Sequence, residues 1–246
     1  MATDSVIEIL NLNKSFGDNH VLRNFTTNLY ANENLVVLGK SGSGKSVLIK
    51  CIIGLLEPDS GSIKVFNSDI SGYDQEGLDQ MRVKVGFLFQ SNALYDSMTV
   101  RENLEFPLRR HWIKAQQDPT EVNTLVMEAL SNVGLGHTVD LMPSELSGGM
   151  RKRIALARTL ILKPSIILYD EPTTGLDPIT AREISNLILE VQEKYSASSI
   201  IISHDMNCIN MTSNRVVMLI DGKCYTEGTY EALSMSSDPI VHEYFE

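Results

Sequence analysis

Cysteine is scarce in this chain: three among 246 residues, at Cys51, Cys208 and Cys224. Their spacing matches neither a zinc-ligand pattern nor a disulfide framework, so they read as small apolar side chains of a reducing compartment. No apolar run reaches the about 20 residues that a membrane-spanning helix needs. The longest candidate, 154–169, is interrupted by Arg158, Lys163 and Pro164. A channel, if the chain serves one, is therefore expected in another protein. An excess of positive charge is missing as well. The formal net charge is −10, which argues against attraction to a nucleic-acid backbone and predicts no nucleic-acid partner. The opening Met1-Ala2-Thr3-Asp4-Ser5 has no basic segment leading into an apolar one and is read as lacking a signal peptide. Internal repeats and low-complexity tracts are also absent.

What is present suits one sizeable core. The hydrophobic fraction is 43% and the charged fraction 21%, ordinary for a folded globular chain. Strands are predicted over 6–11 and 21–30, with a Gly17-Asp18-Asn19 turn between them. Short apolar runs at 35–38, 85–89, 165–169, 199–202 and 216–220 read as buried strands. Helical spacing occupies 47–55, 100–110, 121–133, 147–162 and 179–195. Both ends alternate strand and helix, whereas 91–157 is nearly all helical. That pattern predicts an α/β core with a helical insertion.

Three segments carry chemistry. Gly39-Lys40-Ser41-Gly42-Ser43-Gly44-Lys45-Ser46-Val47 follows a strand and opens a helix. Its glycines free backbone amides to turn around phosphate oxygens, and the helix N-terminus adds partial positive charge. Lys45 is expected on the terminal phosphates and the Ser46 hydroxyl on Mg²⁺. Ile166-Ile167-Leu168-Tyr169-Asp170-Glu171 is an apolar strand ending in two carboxylates. Asp170 suits a metal and Glu171 the polarisation of an attacking water. In Leu146-Ser147-Gly148-Gly149-Met150, Ser147 can cap the following helix. Ser147, Gly148 and Gly149 then offer a hydroxyl and free amides to an anion such as a γ-phosphate.

In this order the three segments resemble the ABC ATPase superfamily, over essentially the whole chain. The resemblance implies an α/β fold: a P-loop NTPase core with an N-terminal antiparallel β subdomain and a helical insertion. The core would span about 1–90 and 158–246, and the helical part about 91–157. It also implies ATP and Mg²⁺ as cofactors. Gln90 matches the glutamine that touches the metal and the attacking water, which adds it to the metal set of Ser46 and Asp170. His204 matches the histidine that contacts the γ-phosphate, and Gly175-Leu176-Asp177 the family's D-loop. Phe16 matches the aromatic that stacks on adenine, where the family more often has tyrosine. The catalytic group implied is thus Glu171, His204 and Gln90. His20, His111, His137 and His242 match no motif and read as ordinary surface or core residues.

One phosphate loop leaves a side of the γ-phosphate uncovered. The resemblance implies that Ser147, Gly148 and Gly149 of a second copy cover it, in a head-to-tail dimer with two ATP molecules between subunits. Family members of translation usually carry two such domains, and those of DNA repair a long coiled coil. This chain has one set of motifs and no sustained heptads between Lys45 and Ser147. A transporter ATPase is expected, at the cytoplasmic face of the inner membrane, with an integral-membrane permease as partner. A finer similarity is to the ATPases of Mla-type transporters. It lies in Leu88-Phe89-Gln90-Ser91-Asn92-Ala93-Leu94-Tyr95, Met98-Thr99-Val100, Glu102-Asn103 and Pro107-Leu108-Arg109. Met150 after Leu-Ser-Gly-Gly agrees, where most importers have glutamine. This implies phospholipid movement that maintains outer-membrane asymmetry, with a mammalian-cell-entry (MCE) domain protein. The generic Thr173-Thr174-Gly175-Leu176-Asp177 leaves a second reading open, an importer ATPase for a polar solute such as an amino acid or osmolyte. A physical reading places a permease contact on 91–100, whose Ala93, Leu94, Tyr95 and Met98 mix apolar and polar character.

Overall fold

A strand that is apolar on both faces is stable only when both are covered, and the runs 35–38, 166–169, 200–202 and 216–219 are of this kind. They lie at the centre of the molecule. The structure, a computed structural model, describes residues 4–112 and 119–245; residues 1–3, 113–118 and 246 and the side chains of His111, Trp112 and Pro119 lie outside the described residues. In chain order, β1 (Ser5–Phe16) and β2 (Asn19–Tyr30) form a hairpin. β3 (Asn34–Leu38) and α1 (Lys45–Ile52) follow, then β4 (Ser60–Val65), β5 (Ser68–Asp69), α2 (Gln75–Lys84) and β6 (Val85–Leu88). Three helices come next: α3 (Val100–Trp112), α4 (Pro119–Asn132) and α5 (Gly148–Leu160). The chain then returns through β7 (Ile166–Asp170), α6 (Pro178–Tyr195), β8 (Ser198–Ile202), α7 (Met206–Thr212), β9 (Arg215–Ile220) and β10 (Lys223–Gly228). It ends in the short α8 (Tyr230–Ser234) and α9 (Pro239–His242).

The central sheet has the order β10-β9-β3-β8-β7-β6. All its pairs are parallel except β10 with β9. A second, antiparallel sheet has the order β2-β1-β4-β5. Side chains alternate across a strand, so each central strand feeds two cores. Leu35, Val37, Ile166, Leu168, Ile200 and Ile202 meet α1 and the antiparallel sheet. Val36, Leu38, Ile167, Tyr169 and Ile201 meet α3 to α6. All three thiols are free, with Cys51 and Cys208 buried. Burial pushes the Cys51 thiol up to about 11, so it packs as an apolar group.

Element ends moved by a few residues. The helix expected over 47–55 starts earlier, at Lys45, and stops at Ile52. It stops because Gly54 adopts a φ of 70° and the Leu55 amide turns back to the Lys50 carbonyl. β4, β5, α2, α7, β10 and the two C-terminal helices were not expected. Among the described residues no helix is long and apolar enough to cross a membrane.

Arg215 joins the two sheets. It pairs with Glu33 at 2.8 Å and Glu227 at 2.7 Å, and donates to the Asn28 carbonyl at 2.6 Å. Arg215 and Glu33 are only 17% and 11% exposed. Arg215→Ala should cost about 2–4 kcal/mol of unfolding free energy, because Glu33 is left as a poorly hydrated, unpaired charge. Denaturant titration of the wild type and this variant checks it; a loss below about 0.5 kcal/mol would make the pair an ordinary surface one.

Candidate functional site

Parallel strands end on one edge, and ligands of such sheets bind in the crevice there. β3, β6, β7 and β8 deliver their following residues to this edge. A cavity of about 570 Å³ opens at it, lined by Phe16, Val21, Ser41, Gly42, Gly44, Lys45, Ser46, Val47, Gln90, Glu171 and His204. Residues scattered over 189 positions of sequence numbering thus face one space.

The loop after β3 is shaped by its glycines. Gly44 has a φ of 105°, and a Cβ there would lie 2.9 Å from Val21 Cγ1. Gly39 sits so close to β9 that a Cβ would lie 2.6 Å from the Leu219 carbonyl oxygen. The first backbone bond of α1 runs from the Leu48 amide to the Gly44 carbonyl, and no side chain caps the helix. The amides from Gly44 to Val47 therefore have no partner inside the helix. They face the cavity with the positive end of the helix dipole behind them.

Lys45 is buried, and its ammonium donates to the Gly39 carbonyl at 2.6 Å and the Lys40 carbonyl at 3.1 Å. Burial lowers its pKa, with Glu171 and Asp170 opposing. The amine is folded into the loop, which differs from the extended reach expected of it. Ser46 donates through Oγ to Asp170 Oδ1 at 3.2 Å. Burial raises the Asp170 pKa, opposed by that bond. Glu171 follows directly in the left-handed region, with a φ of 52°. Its amide bonds to the Ile202 carbonyl, and its Oε2 takes Thr174 Oγ1 at 3.0 Å and His204 Nδ1 at 2.8 Å. Glu171, expected on the attacking water, and His204, expected on the γ-phosphate, touch one another here. Gln90 also lines the cavity, and its backbone carbonyl accepts from Lys152 Nζ at 2.9 Å.

Other expected residues lie elsewhere. Lys40 points away from the cavity, pairing with Glu243 at 2.7 Å and lying 5.6 Å from the Tyr244 ring centre. Gly39 and Ser43 shape the loop without lining the cavity, and Ser43 Oγ is buried without a partner. Phe16 is 49% exposed beside Val21 at the cavity rim. Ser147 caps α5, accepting from the Met150 amide at 3.2 Å. Ser147, Gly148 and Gly149 do not line the cavity, and Ser147 and Gly148 are exposed. Sequence reasoning missed Val21, Thr174 and Lys152. Val21 and Thr174 carry no distinguishing pattern; Lys152 stands between Arg151 and Arg153 on a basic-studded helix and reads as surface.

The donors suit a hard divalent cation. Ser46 Oγ and Asp170 Oδ1 already converge to 3.2 Å, both are oxygen donors, and a desolvated carboxylate gains from a cation placed before it. Free helix amides, a lysine and this pair have the chemistry to suit a nucleoside polyphosphate with its metal. The carboxylate and imidazole at the far wall suit activation of a water against the terminal phosphate.

Similarity to known proteins agrees with that chemistry. A family model described as "ABC transporter" matches residues 22–174. A probable ribonucleotide transport ATP-binding protein, mkl, of Mycobacterium leprae is 40% identical over 97% of this chain and 68% of its own length. The intermembrane phospholipid transport system ATP-binding protein MlaF of Haemophilus influenzae is 36% identical over 98% of this chain and 90% of its own. A methionine import ATP-binding protein of Acinetobacter baylyi is 34% identical over 96% of this chain and 67% of its own. Among solved structures, a dimeric ATP-binding cassette in a post-hydrolysis state bound to ADP and Pi superposes with a TM-score of 0.83. It is 30% identical, over 91% of this chain and 98% of that one.

Proposed function

The chain belongs to the ABC transporter family of ATPases, and from that premise we propose that it powers a membrane phospholipid transporter as a head-to-tail pair. The observation that carries the pairing is the division of the site. Lys45, Ser46, Gln90, Glu171 and His204 share one cavity, while Ser147 and Gly148 stand exposed outside it. A helix N-terminus with a hydroxyl and free amides, turned to solvent, suits the γ-phosphate bound by another copy.

In this reading ATP lies with its adenine against Phe16 and its phosphates among the amides from Gly44 to Val47. Lys45 leaves the Gly39 and Lys40 carbonyls for the terminal phosphates. Mg²⁺ would be held by Ser46, Asp170 and Gln90 and would neutralise charge on the phosphate oxygens. Glu171 takes a proton from water, whose oxygen attacks the γ-phosphorus as the bond to the leaving ADP oxygen breaks. His204 donates to the γ-phosphate once ATP draws it from Glu171. Closure by the second copy excludes water and fixes these groups. The stretch 91–157 is assigned as the unit that carries Ser147 toward the partner. ADP and phosphate no longer bridge the copies, so they part and move a permease.

Gly148 gives a sharp test of the shared site. A Cβ there meets nothing within 4 Å, so Gly148→Asp fits the monomer, and an acid in the first turn of α5 stabilises that helix by about 0.3–1 kcal/mol. The same carboxylate would face a phosphate in the pair. We expect an unchanged or higher melting temperature, retained nucleotide binding and at least about tenfold lower turnover. Wild-type turnover in this variant sinks the paired site.

The phospholipid reading is supported by the likeness to MlaF across nearly its full length and by Met150 after Leu-Ser-Gly-Gly. We place the pair at the cytoplasmic face of the inner membrane, with a permease and an MCE-domain protein. Purification with the native membrane partner, followed by mass spectrometry of proteins and lipids, tests it. An MCE-domain protein with bound phospholipid supports the reading. A solute-binding protein without lipid overturns it in favour of polar-solute import, toward which the methionine-importer relative points.

A further inference from the structure

Lys152 is only 2% exposed, yet it belongs to the basic-studded helix α5 and has no place in the chemistry above. Among the described residues its one hydrogen bond is to the Gln90 backbone carbonyl, at 2.9 Å. Burial opposes its charge; Asp170 and then Glu171 lie near enough to favour it. An ammonium so placed is a poor choice for stability alone. An apolar chain of similar length would fill the space without desolvating a charge, and such replacements are commonly neutral or stabilising.

A second tie lies two turns along the same helix. Arg158 donates to the Ala93 carbonyl at 2.8 Å and the Asn92 carbonyl at 3.1 Å. Asn92 and Ala93 both have positive φ, 65° and 51°. That backbone is strained for alanine, and the guanidinium holds it. The segment 90–93 is therefore fastened to α5 at two points beyond the end of β6. The N-terminus of α5 is Ser147, the group offered to the second copy.

We propose that Lys152 is a positioning residue for ATP hydrolysis, its ammonium fixing the Gln90 backbone so that the glutamine side chain takes its place in the cavity only as α5 does. This rests on the function proposed above and deepens it. Seating of Ser147 on the partner's nucleotide moves α5, and Lys152 transmits that movement to Gln90 in the same chain. Arg158 carries the following residues with it. Hydrolysis is then tied to pairing by a rigid helix.

The test is steady-state ATP turnover of the full chain against ATP concentration. Lys152→Met should lower kcat about 10- to 100-fold, the usual size for a lost charge-assisted bond. KM for ATP should stay within about threefold, and the melting temperature should not fall. Lys152→Arg, which keeps a donor for the Gln90 carbonyl, should recover most of kcat. Combined with Gln90→Ala, Lys152→Met should add almost nothing to the loss from Gln90→Ala alone, because one acts through the other. Multiplicative losses in the double variant overturn the proposal, as does wild-type kcat in Lys152→Met. A folded Lys152→Arg as slow as Lys152→Met does so too. Failure of the parent reading looks different: turnover in the otherwise unaltered chain would then survive Glu171→Gln.

Discussion

Replacing Glu171 by glutamine is expected to lower ATP turnover about 100- to 10,000-fold while nucleotide still binds. The substitution keeps the volume and shape of the side chain, and its carbonyl can still accept from Thr174 Oγ1, as Glu171 does at 3.0 Å. What it removes is the ability to take a proton from water. In the proposed site binding rests on the loop amides and Lys45, which the substitution does not touch. Loss of a negative charge beside the phosphates should leave affinity equal or higher. His204, now at 2.8 Å from Glu171, loses a carboxylate partner and turns more freely to a phosphate. A pair that can close but not hydrolyse should accumulate, so gel filtration with ATP and Mg²⁺ should show a dimer that the wild-type chain does not hold. Near-wild-type turnover would remove Glu171 from the role assigned to it.

The geometry around Glu171 also explains why a short stretch of sequence could point to it. Ile166 to Tyr169 are apolar because β7 is covered on both faces, and the first polar residues after it must lie at the sheet edge. The same logic made β3 and the glycine loop legible. Lys45, Gln90, Glu171 and His204 are far apart in sequence but each follows a strand of one parallel sheet, so the topology brings them together. Other parts left little signal. α2 is strongly polar and buries only Met81. β10 buries no residue fully, so its alternation lacks an apolar face. α7 is seven residues long, too short for helical periodicity to stand out. The inward fold of Lys45 and the Lys152–Gln90 contact depend on loop conformation and on helix rotation. Residue type alone predicts the opposite for both, since lysine is seldom fully buried.

Lys45 combines these points, because removing it should weaken ATP binding without weakening the fold. Lys45→Ala is expected to raise the dissociation constant for Mg-ATP about 10- to 100-fold, the size of a lost charge-assisted contact to phosphate. In the structure the ammonium is buried and satisfied by two loop carbonyls, of Gly39 and Lys40. Burial has already lowered its pKa, so its charge is carried there at a cost. Alanine relieves that cost, and water can reach the Lys40 carbonyl at the exposed end of the loop. The two effects nearly cancel in the free protein, leaving a melting temperature close to that of the wild type. With nucleotide they do not cancel, because the phosphates lose their one lysine from this loop that faces the cavity. The expected signature is therefore a lost thermal shift on adding Mg-ATP, from an unchanged baseline. Calorimetric titration gives the affinity directly. Wild-type affinity in Lys45→Ala would remove the phosphates from this loop, and with them the placement of Glu171 and His204 around the γ-phosphate.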